Sequence, residues 1–153
     1  MRKAYRILAD VIAVAVVVQA MAMIWAVAGL IHWIDKDGGT LNHAVLKSWE
    51  DKTPDFQGAV GFPIHGILGT MVIPVLALAF LIVAFFAHVP GGLKLSGIVV
   101  GSVIVQVVAG MASEDAPWLG LVHGLNAFVL FSAAIMAARA AHPTTQTAVT
   151  ATP

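Results

Sequence analysis

Two histidines, each followed by glycine, are the residues of this sequence whose type and setting could do chemistry. His65-Gly66 and His123-Gly124 both lie a few residues inside long apolar stretches. Ionisable side chains are costly inside a membrane span and by default indicate function. Two neutral imidazoles facing each other across an apolar slot suit a six-coordinate haem, and bundle cofactors are held by side chains on facing helices. We therefore predict His65 and His123 as axial ligands of a haem iron.

Glycines near the two histidines would make room for a flat porphyrin ring. Gly66 and Gly124 directly follow the ligands and are predicted to be cofactor-binding residues. Further predicted positions of close approach are Gly29, Gly110, Gly69 and Gly120. The apolar side chains expected to wall the ring are Met23, Trp25, Met71, Met111 and Phe128. The cations expected near the haem propionates are Lys36, Lys47 and Lys52.

The composition suits a bilayer better than water. Hydrophobic residues make up 59% of the 153 residues and charged residues only 10%, whereas a soluble domain carries about 25% charged residues. Apolar stretches cover residues 7–31, 62–87, 95–111 and 118–141, and a spanning helix needs about 20 apolar residues. We predict an all-α membrane protein with one domain over 1–142, in which four transmembrane helices form an up-down bundle.

The two halves of the chain resemble each other, which predicts two tandem helical hairpins. Residues 16–19, Val-Val-Val-Gln, echo residues 103–106, Val-Ile-Val-Gln, and the two His-Gly pairs echo each other. A pseudo-two-fold axis along the membrane normal, as in parallel transporter repeats, would bring the histidines to similar depth on facing helices. Gln19 and Gln106 need partners within the membrane, and a bond between them is the preferred prediction. A polar edge of a bound ligand is the alternative partner.

Charges differ between the two ends of the predicted bundle. The basic residues at one end are Arg2, Lys3, Arg6, Lys94 and Arg139. The acids that predominate at the other end are Asp35, Asp37, Glu50, Asp51, Asp55, Glu114 and Asp115. Cytoplasmic loops carry an excess of Lys and Arg, so both termini are predicted to be cytoplasmic. The outer loop, 33–61, is predicted to contain a short helix over Leu41–Trp49, and the tail, 143–153, to be disordered.

Other readings of the histidines stay open. They could simply tie helices together in a non-catalytic membrane subunit or assembly partner. They could also serve a metal or small-molecule transporter that uses His32, His43, His65 and His123. His88 and His142, at the cytoplasmic helix ends, are more typical of helix anchoring. The sequence has no cysteine, which excludes disulfides and thiolate metal sites, and it has no P-loop, Ser-His-Asp set or carboxylate dyad.

The two His-Gly pairs resemble a half-bundle of haem A synthase, in which four helices bind b-type haem through histidines near the outer ends of helices two and four. The chain also resembles small four-helix membrane proteins of actinobacteria and other bacteria, which match it in length. These resemblances imply haem b in a bacterial plasma (inner) membrane. Two histidine ligands leave the iron no open position, which predicts one-electron transfer with a membrane quinol or an extracytoplasmic protein as partner.

The sequence departs from haem A synthase in three respects. That enzyme is similar to two such bundles joined, whereas this chain has one. Its substrate half has a Glu three residues before a His, where this chain has Phe62 and Gly120. The outer-loop cysteine pair of many bacterial versions is absent. These differences argue against oxidation of a haem methyl group, and they are compatible with haem retention.

Overall fold

The computed structural model describes residues 1–142, which form an all-α bundle. The helices are α1 (Arg2–Asp35), α2 (His43–Ser48), α3 (Gly61–Ile67), α4 (Ile73–Ala87), α5 (Gly92–Ala112) and α6 (Leu119–Ala140). A π-helical turn over Leu68–Val72 joins α3 to α4 without a break, so Gly61–Ala87 is one crossing. The predicted disordered tail lies outside the described residues.

Within residues 1–142, four helices are long and apolar enough to span a membrane, and the chain is a multi-pass membrane protein. The predicted fold class is therefore confirmed. The third crossing looked shortest in the sequence, but α5 has 21 residues and meets the length that a span requires. The first is the longest: at about 1.5 Å per residue, the 34 residues of α1 extend well beyond the hydrocarbon layer.

The four crossings pack as a ring. α1 packs against α6 and against the α3–α4 crossing, and α5 packs against those same two neighbours. The α3–α4 crossing and α6 therefore stand diagonally across the bundle, and these are the crossings that carry His65 and His123. Both described chain ends and the turn 88–91 lie at what we call the termini end. The connections 36–60 and 113–118 lie at the opposite, loop end.

Small side chains close the half of the bundle nearest the termini end. The buried alanines of this core are Ala9, Ala13, Ala77, Ala84, Ala87, Ala133, Ala134, Ala137, Ala138 and Ala141. Tyr5 packs on Phe80 with ring centroids 4.5 Å apart, and its hydroxyl donates to the Gly92 carbonyl at 2.9 Å. Because alanines let the helices approach closely, this half is tightly packed, and open space lies in the other half.

Aromatic side chains organise the long connection at the loop end. Trp33, at the end of α1, lies 5.9 Å from Trp49 and 5.8 Å from Phe56, measured between ring centroids. Asn42 caps α2 by accepting a hydrogen bond from the Val45 amide at 3.0 Å. The predicted short helix within this connection is therefore confirmed, over His43–Ser48.

Pro74 explains the π-helical turn within the second crossing. Proline has no N–H to donate, and in a regular helix its ring clashes with the carbonyl four residues earlier, which here belongs to Thr70. The chain instead widens over Leu68–Val72, and the Ile73 amide bonds to the Leu68 carbonyl five residues back. One extra residue in a turn rotates α3 by about 100° relative to α4. The turn therefore sets the direction in which His65 points.

Candidate functional site

His65 and His123 face each other in the loop half of the bundle. Their ring centroids are 6.1 Å apart, and their planes are inclined by 50°. The two rings come from the diagonal pair of crossings, so no helix lies between them. The structure thus brings together the two residues that the sequence singles out.

Each histidine is oriented by a backbone carbonyl of the neighbouring crossing. Nδ1 of His65 lies 3.1 Å from the Gln19 carbonyl oxygen, and Nδ1 of His123 lies 2.9 Å from that of Gln106. A carbonyl only accepts, so Nδ1 carries the proton and donates, which leaves Nε2 with a free lone pair. Histidines that bind metals are typically held in this way through their other ring nitrogen. The two sequence repeats therefore build the same hydrogen bond twice.

Two cavities of the described chain meet at the histidine pair. The larger has a volume of about 640 Å³, and the smaller has about 500 Å³. Both volumes fall within the range of about 300–1,000 Å³ usual for ligand sites. The residues that line both cavities are Gln19, Met23, His65, Gly69, Gln106, Val107 and His123. The larger extends to Ile73 and Phe131 in mid-bundle, and the smaller reaches Ser113 and Glu114 at the loop end.

The glycines of the site play different parts. Gly66 and Gly124 each line one cavity, and a Cβ built on either would meet no described atom within 4 Å. A Cβ on Gly110 would lie 2.9 Å from Nδ1 of His123, so this glycine admits the ring. A Cβ on Gly69 would lie 2.5 Å from Nε2 of Gln19. Gly29 lines neither cavity of the described chain and packs against the backbone of Gln57 instead.

The predicted walls of the site are partly in place. Met23 lines both cavities, Phe128 the larger and Met111 the smaller. Among the described residues, two predicted wall positions lie elsewhere: Trp25 packs on Gly58, and the side chain of Met71 is exposed. The three lysines expected near propionates, Lys36, Lys47 and Lys52, also lie outside the linings of both cavities.

The predicted bond between Gln19 and Gln106 is not formed. Oε1 of Gln106 accepts from Nδ2 of Asn126 at 2.6 Å, and Asn126 also donates to the Ser102 carbonyl at 2.8 Å. Asn126 sits one helical turn after His123 on the same face of α6, and it is not among the residues predicted from the sequence. The sequence feature that could have identified Asn126 is its amide side chain within an apolar span, because such a group needs a hydrogen-bond partner there.

The remaining histidines do not join the pair. His32, His43, His88 and His142 are all exposed and line neither cavity of the described chain. Within residues 1–142 no three or more His, Cys, Asp or Glu side chains cluster as a metal site. A transporter site built from His32, His43 and the central pair therefore has no support in the geometry.

Comparisons with known proteins add no family to this description. No family model matches the chain, and neither the search for similar characterised proteins nor the search of solved structures finds a match. The resemblance to a haem A synthase half-bundle therefore rests on the placement of the two His-Gly pairs alone.

Proposed function

We propose that this protein holds one haem b between His65 and His123 and uses it for one-electron transfer. The observation that carries the proposal is the separation of the two rings, 6.1 Å between centroids. A bond between a metal and an imidazole nitrogen is about 2 Å long, and the nitrogen lies about 1 Å from the centre of its ring. The centres of two ligand rings on opposite sides of one metal are therefore about 6 Å apart. The facing imidazoles thus stand at the spacing that a shared iron requires.

The surroundings of the pair also fit a haem. Gln19 and Gln106 fix the Nδ1 protons through their carbonyls, which leaves Nε2 of each ring available to iron. Both cavities are lined by His65 and His123, so a flat macrocycle held between the rings would extend into them. The larger cavity is almost wholly apolar, as the hydrocarbon edge of a porphyrin needs. The smaller contains polar side chains and opens toward the loop end.

The chemistry follows from the ligand set. When bound, haem supplies a reversible Fe(III)/Fe(II) couple whose potential depends on axial ligands, hydrogen bonds and burial. With both His65 and His123 bound to it, the iron would have no open position for oxygen, which would favour electron transfer over oxygen activation. The carbonyls of Gln19 and Gln106 orient the two imidazoles, and the larger cavity gives the site an apolar surrounding.

The proposed location is a bacterial plasma membrane with cytoplasmic termini. The termini end carries Arg2, Lys3 and Arg6 before the first crossing and Lys94 after the turn 88–91. The loop end carries most of the acids. By the positive-inside rule the termini end faces the cytoplasm, so the haem would lie nearer the outer surface and within reach of an extracytoplasmic electron acceptor.

A second candidate is a non-catalytic membrane subunit or assembly partner. It is favoured by the hydrogen bonds of the histidines themselves, since they tie α3 to α1 and α6 to α5 without any cofactor. Such bonds between membrane helices contribute about 0.6 kcal/mol on average. In this reading His65→Ala and His123→Ala would lower stability slightly, and purified protein would have no visible spectrum.

The deciding experiment is the absorption spectrum of the purified protein after expression with added haem precursor. We expect the Soret, α and β bands of a low-spin b-type haem, and their loss in His65→Ala and in His123→Ala. His43→Ala, which changes an exposed histidine of the loop, serves as the matched control and should keep the bands. Protein without haem absorbance, or bands unaffected by both central substitutions, would contradict the proposal.

A further inference from the structure

The two cavities of the described chain contain no cation for the carboxylates of a haem. Haem b carries two propionates, and ionised carboxylates in proteins are usually held by Lys, Arg or other hydrogen-bond donors. Among the described residues that line the cavities, none is Lys or Arg. The lining residue that carries a formal charge is Glu114, whose charge has the same sign as that of the propionates. The lining would therefore repel the polar edge of the cofactor instead of pairing with it.

The hydroxyl groups of the smaller cavity do not take the place of a cation. Thr70 donates its hydroxyl proton to the Gly66 carbonyl at 2.8 Å, and Ser113 donates to the Gly110 carbonyl at 2.6 Å. A hydroxyl has a single proton to donate, so neither side chain has one left for a carboxylate. Retention of a haem would thus depend mainly on the two histidine–iron bonds and on the apolar surface of the larger cavity.

The smaller cavity also has an open mouth at the loop end. Glu114 lies in the connection 113–118 and its side chain is exposed. Gly66 and Gly120 line the same cavity, and a Cβ built on either would meet no described atom within 4 Å. Because no side chain projects from these two positions, they leave open the way from the histidine pair to the loop end. A bound haem would have a route out at the end where Glu114 repels its carboxylates.

We propose that haem at this site is exchangeable, and that the protein releases it through the mouth at the loop end to an acceptor haem protein, with Glu114 lowering its retention. In the transfer, the two Nε2–iron bonds of His65 and His123 break, and the iron takes new ligands from the acceptor. The haem moves intact and no electron is transferred. This second activity rests on the proposed function, but a haem used only for electron transfer has no need of a repelling charge at its edge.

The test is the transfer of haem from the loaded protein in lipid nanodiscs to an excess of apomyoglobin, followed as the low-spin spectrum changes to that of myoglobin. With excess acceptor, the rate of transfer equals the rate of haem dissociation. We expect complete transfer from wild type and about threefold slower transfer from Glu114→Gln, the scale of a charge pair near a surface. Glu114→Lys removes a repulsion and adds an attraction, so its transfer should be about tenfold slower.

Asp115→Asn and Asp115→Lys are the matched controls. Asp115 is the neighbouring exposed acid and lines neither cavity of the described chain, so both variants should transfer haem within about twofold of the wild-type rate. A salt titration provides a measurement that needs no substitution. At about 1 M salt the Debye length is about 3 Å, so the repulsion by Glu114 is screened and transfer from wild type should slow toward the rate of Glu114→Gln.

The failure of this inference can be told apart from that of the proposed function. Haem that stays in the folded protein despite excess apomyoglobin, or Glu114 variants that match the Asp115 variants, would overturn the exchange and leave the proposed function standing. Haem that transfers with this dependence on Glu114 but binds without His65 and His123 would contradict the proposed function alone.

Discussion

At the scale of single residues, the facing histidines are held by atoms that substitution cannot remove. Backbone carbonyls of Gln19 and Gln106 orient the two rings, so changes to either glutamine side chain leave these hydrogen bonds in place. The geometry is more easily disturbed through the glycines that the rings contact. Gly110 is the position at which a methyl group would meet a histidine ring directly.

Gly110→Ala should displace His123 and weaken haem binding. Its new Cβ would lie 2.9 Å from Nδ1 and 3.0 Å from Cε1 of the ring, so either the imidazole or α5 must move. We expect haem affinity to fall by about tenfold or more, measured by titrating haem into haem-free protein. Gly97→Ala, on the same helix, meets no described atom within 4 Å and should bind haem normally. Unchanged affinity in Gly110→Ala would refute the contact.

Asn126→Leu should destabilise the bundle by removing two hydrogen bonds between α6 and α5. It leaves Oε1 of Gln106 and the Ser102 carbonyl without their amide donor. Hydrogen bonds between membrane helices contribute about 0.6 kcal/mol on average and up to about 1.7 kcal/mol, so a loss of about 1 kcal/mol in the free energy of unfolding is expected. Unfolding in mixed detergent measures it, with Leu125→Ala at the adjacent exposed position as control. A stability equal to that of the control would show that Asn126 is dispensable.

The pairing of the two histidines could be predicted from sequence, but much of their surroundings could not. His65 and His123 stand out because ionisable residues are rare in apolar spans and because the repeat places them at one depth. The roles of Gly29 and Asn126 depend on which neighbour each meets across a helix interface. The spacing of residues along one helix shows which face of the helix a side chain lies on, but not which residue of another helix it contacts. The predicted bond between Gln19 and Gln106 was wrong for this reason.

At the scale of the elements, the π-helical turn sets the direction in which His65 of α3 points. Hydropathy predicts one continuous span over 62–87. It cannot reveal the π-helical turn, because a wider turn leaves the average hydropathy of the segment unchanged. Pro74 was the available signal, since its missing N–H disfavours a regular turn before it. π-helical turns occur frequently at functional sites, and this one begins three residues after His65.

Pro74→Ala should let the turn revert toward regular α-helix. Alanine restores an N–H that can bond to the Thr70 carbonyl, which would rotate His65 by about 100° relative to α4. The low-spin spectrum should then give way to a five-coordinate, high-spin haem or to loss of haem. Pro63→Ala is the control, because residue 63 lies in the first turn of α3, where backbone N–H groups have no intrahelical partner. A wild-type spectrum in Pro74→Ala would show that the turn does not position His65.

At the scale of the whole molecule, the four crossings could be predicted with little residue-level detail. Hydropathy is a summed property, so errors of a few residues at helix ends do not alter the number of spans. The bundle is asymmetric along its axis, with an alanine-rich half packed shut and a half that contains the cavities. That asymmetry could not be predicted from hydropathy, because hydropathy does not show which side chains meet across the axis of the bundle.

The proposed orientation can be tested because the chain has no cysteine of its own. Lys52→Cys places a single thiol at the loop end, and Lys94→Cys places one at the termini end. In intact cells, we expect a membrane-impermeant maleimide to label Lys52→Cys and to leave Lys94→Cys unlabelled until the cells are lysed. The opposite labelling pattern would invert the topology and place the histidine pair near the cytoplasmic surface.

The most direct measurement of the central claim is the molar ratio of haem to protein chain, determined by pyridine haemochrome analysis of the purified protein. A shared iron between His65 and His123 predicts one haem b per chain in the wild type and none in the His65→Ala/His123→Ala double variant. The absence of haem from folded wild-type protein after haem-supplemented expression, or an undiminished ratio in the double variant, would contradict the account.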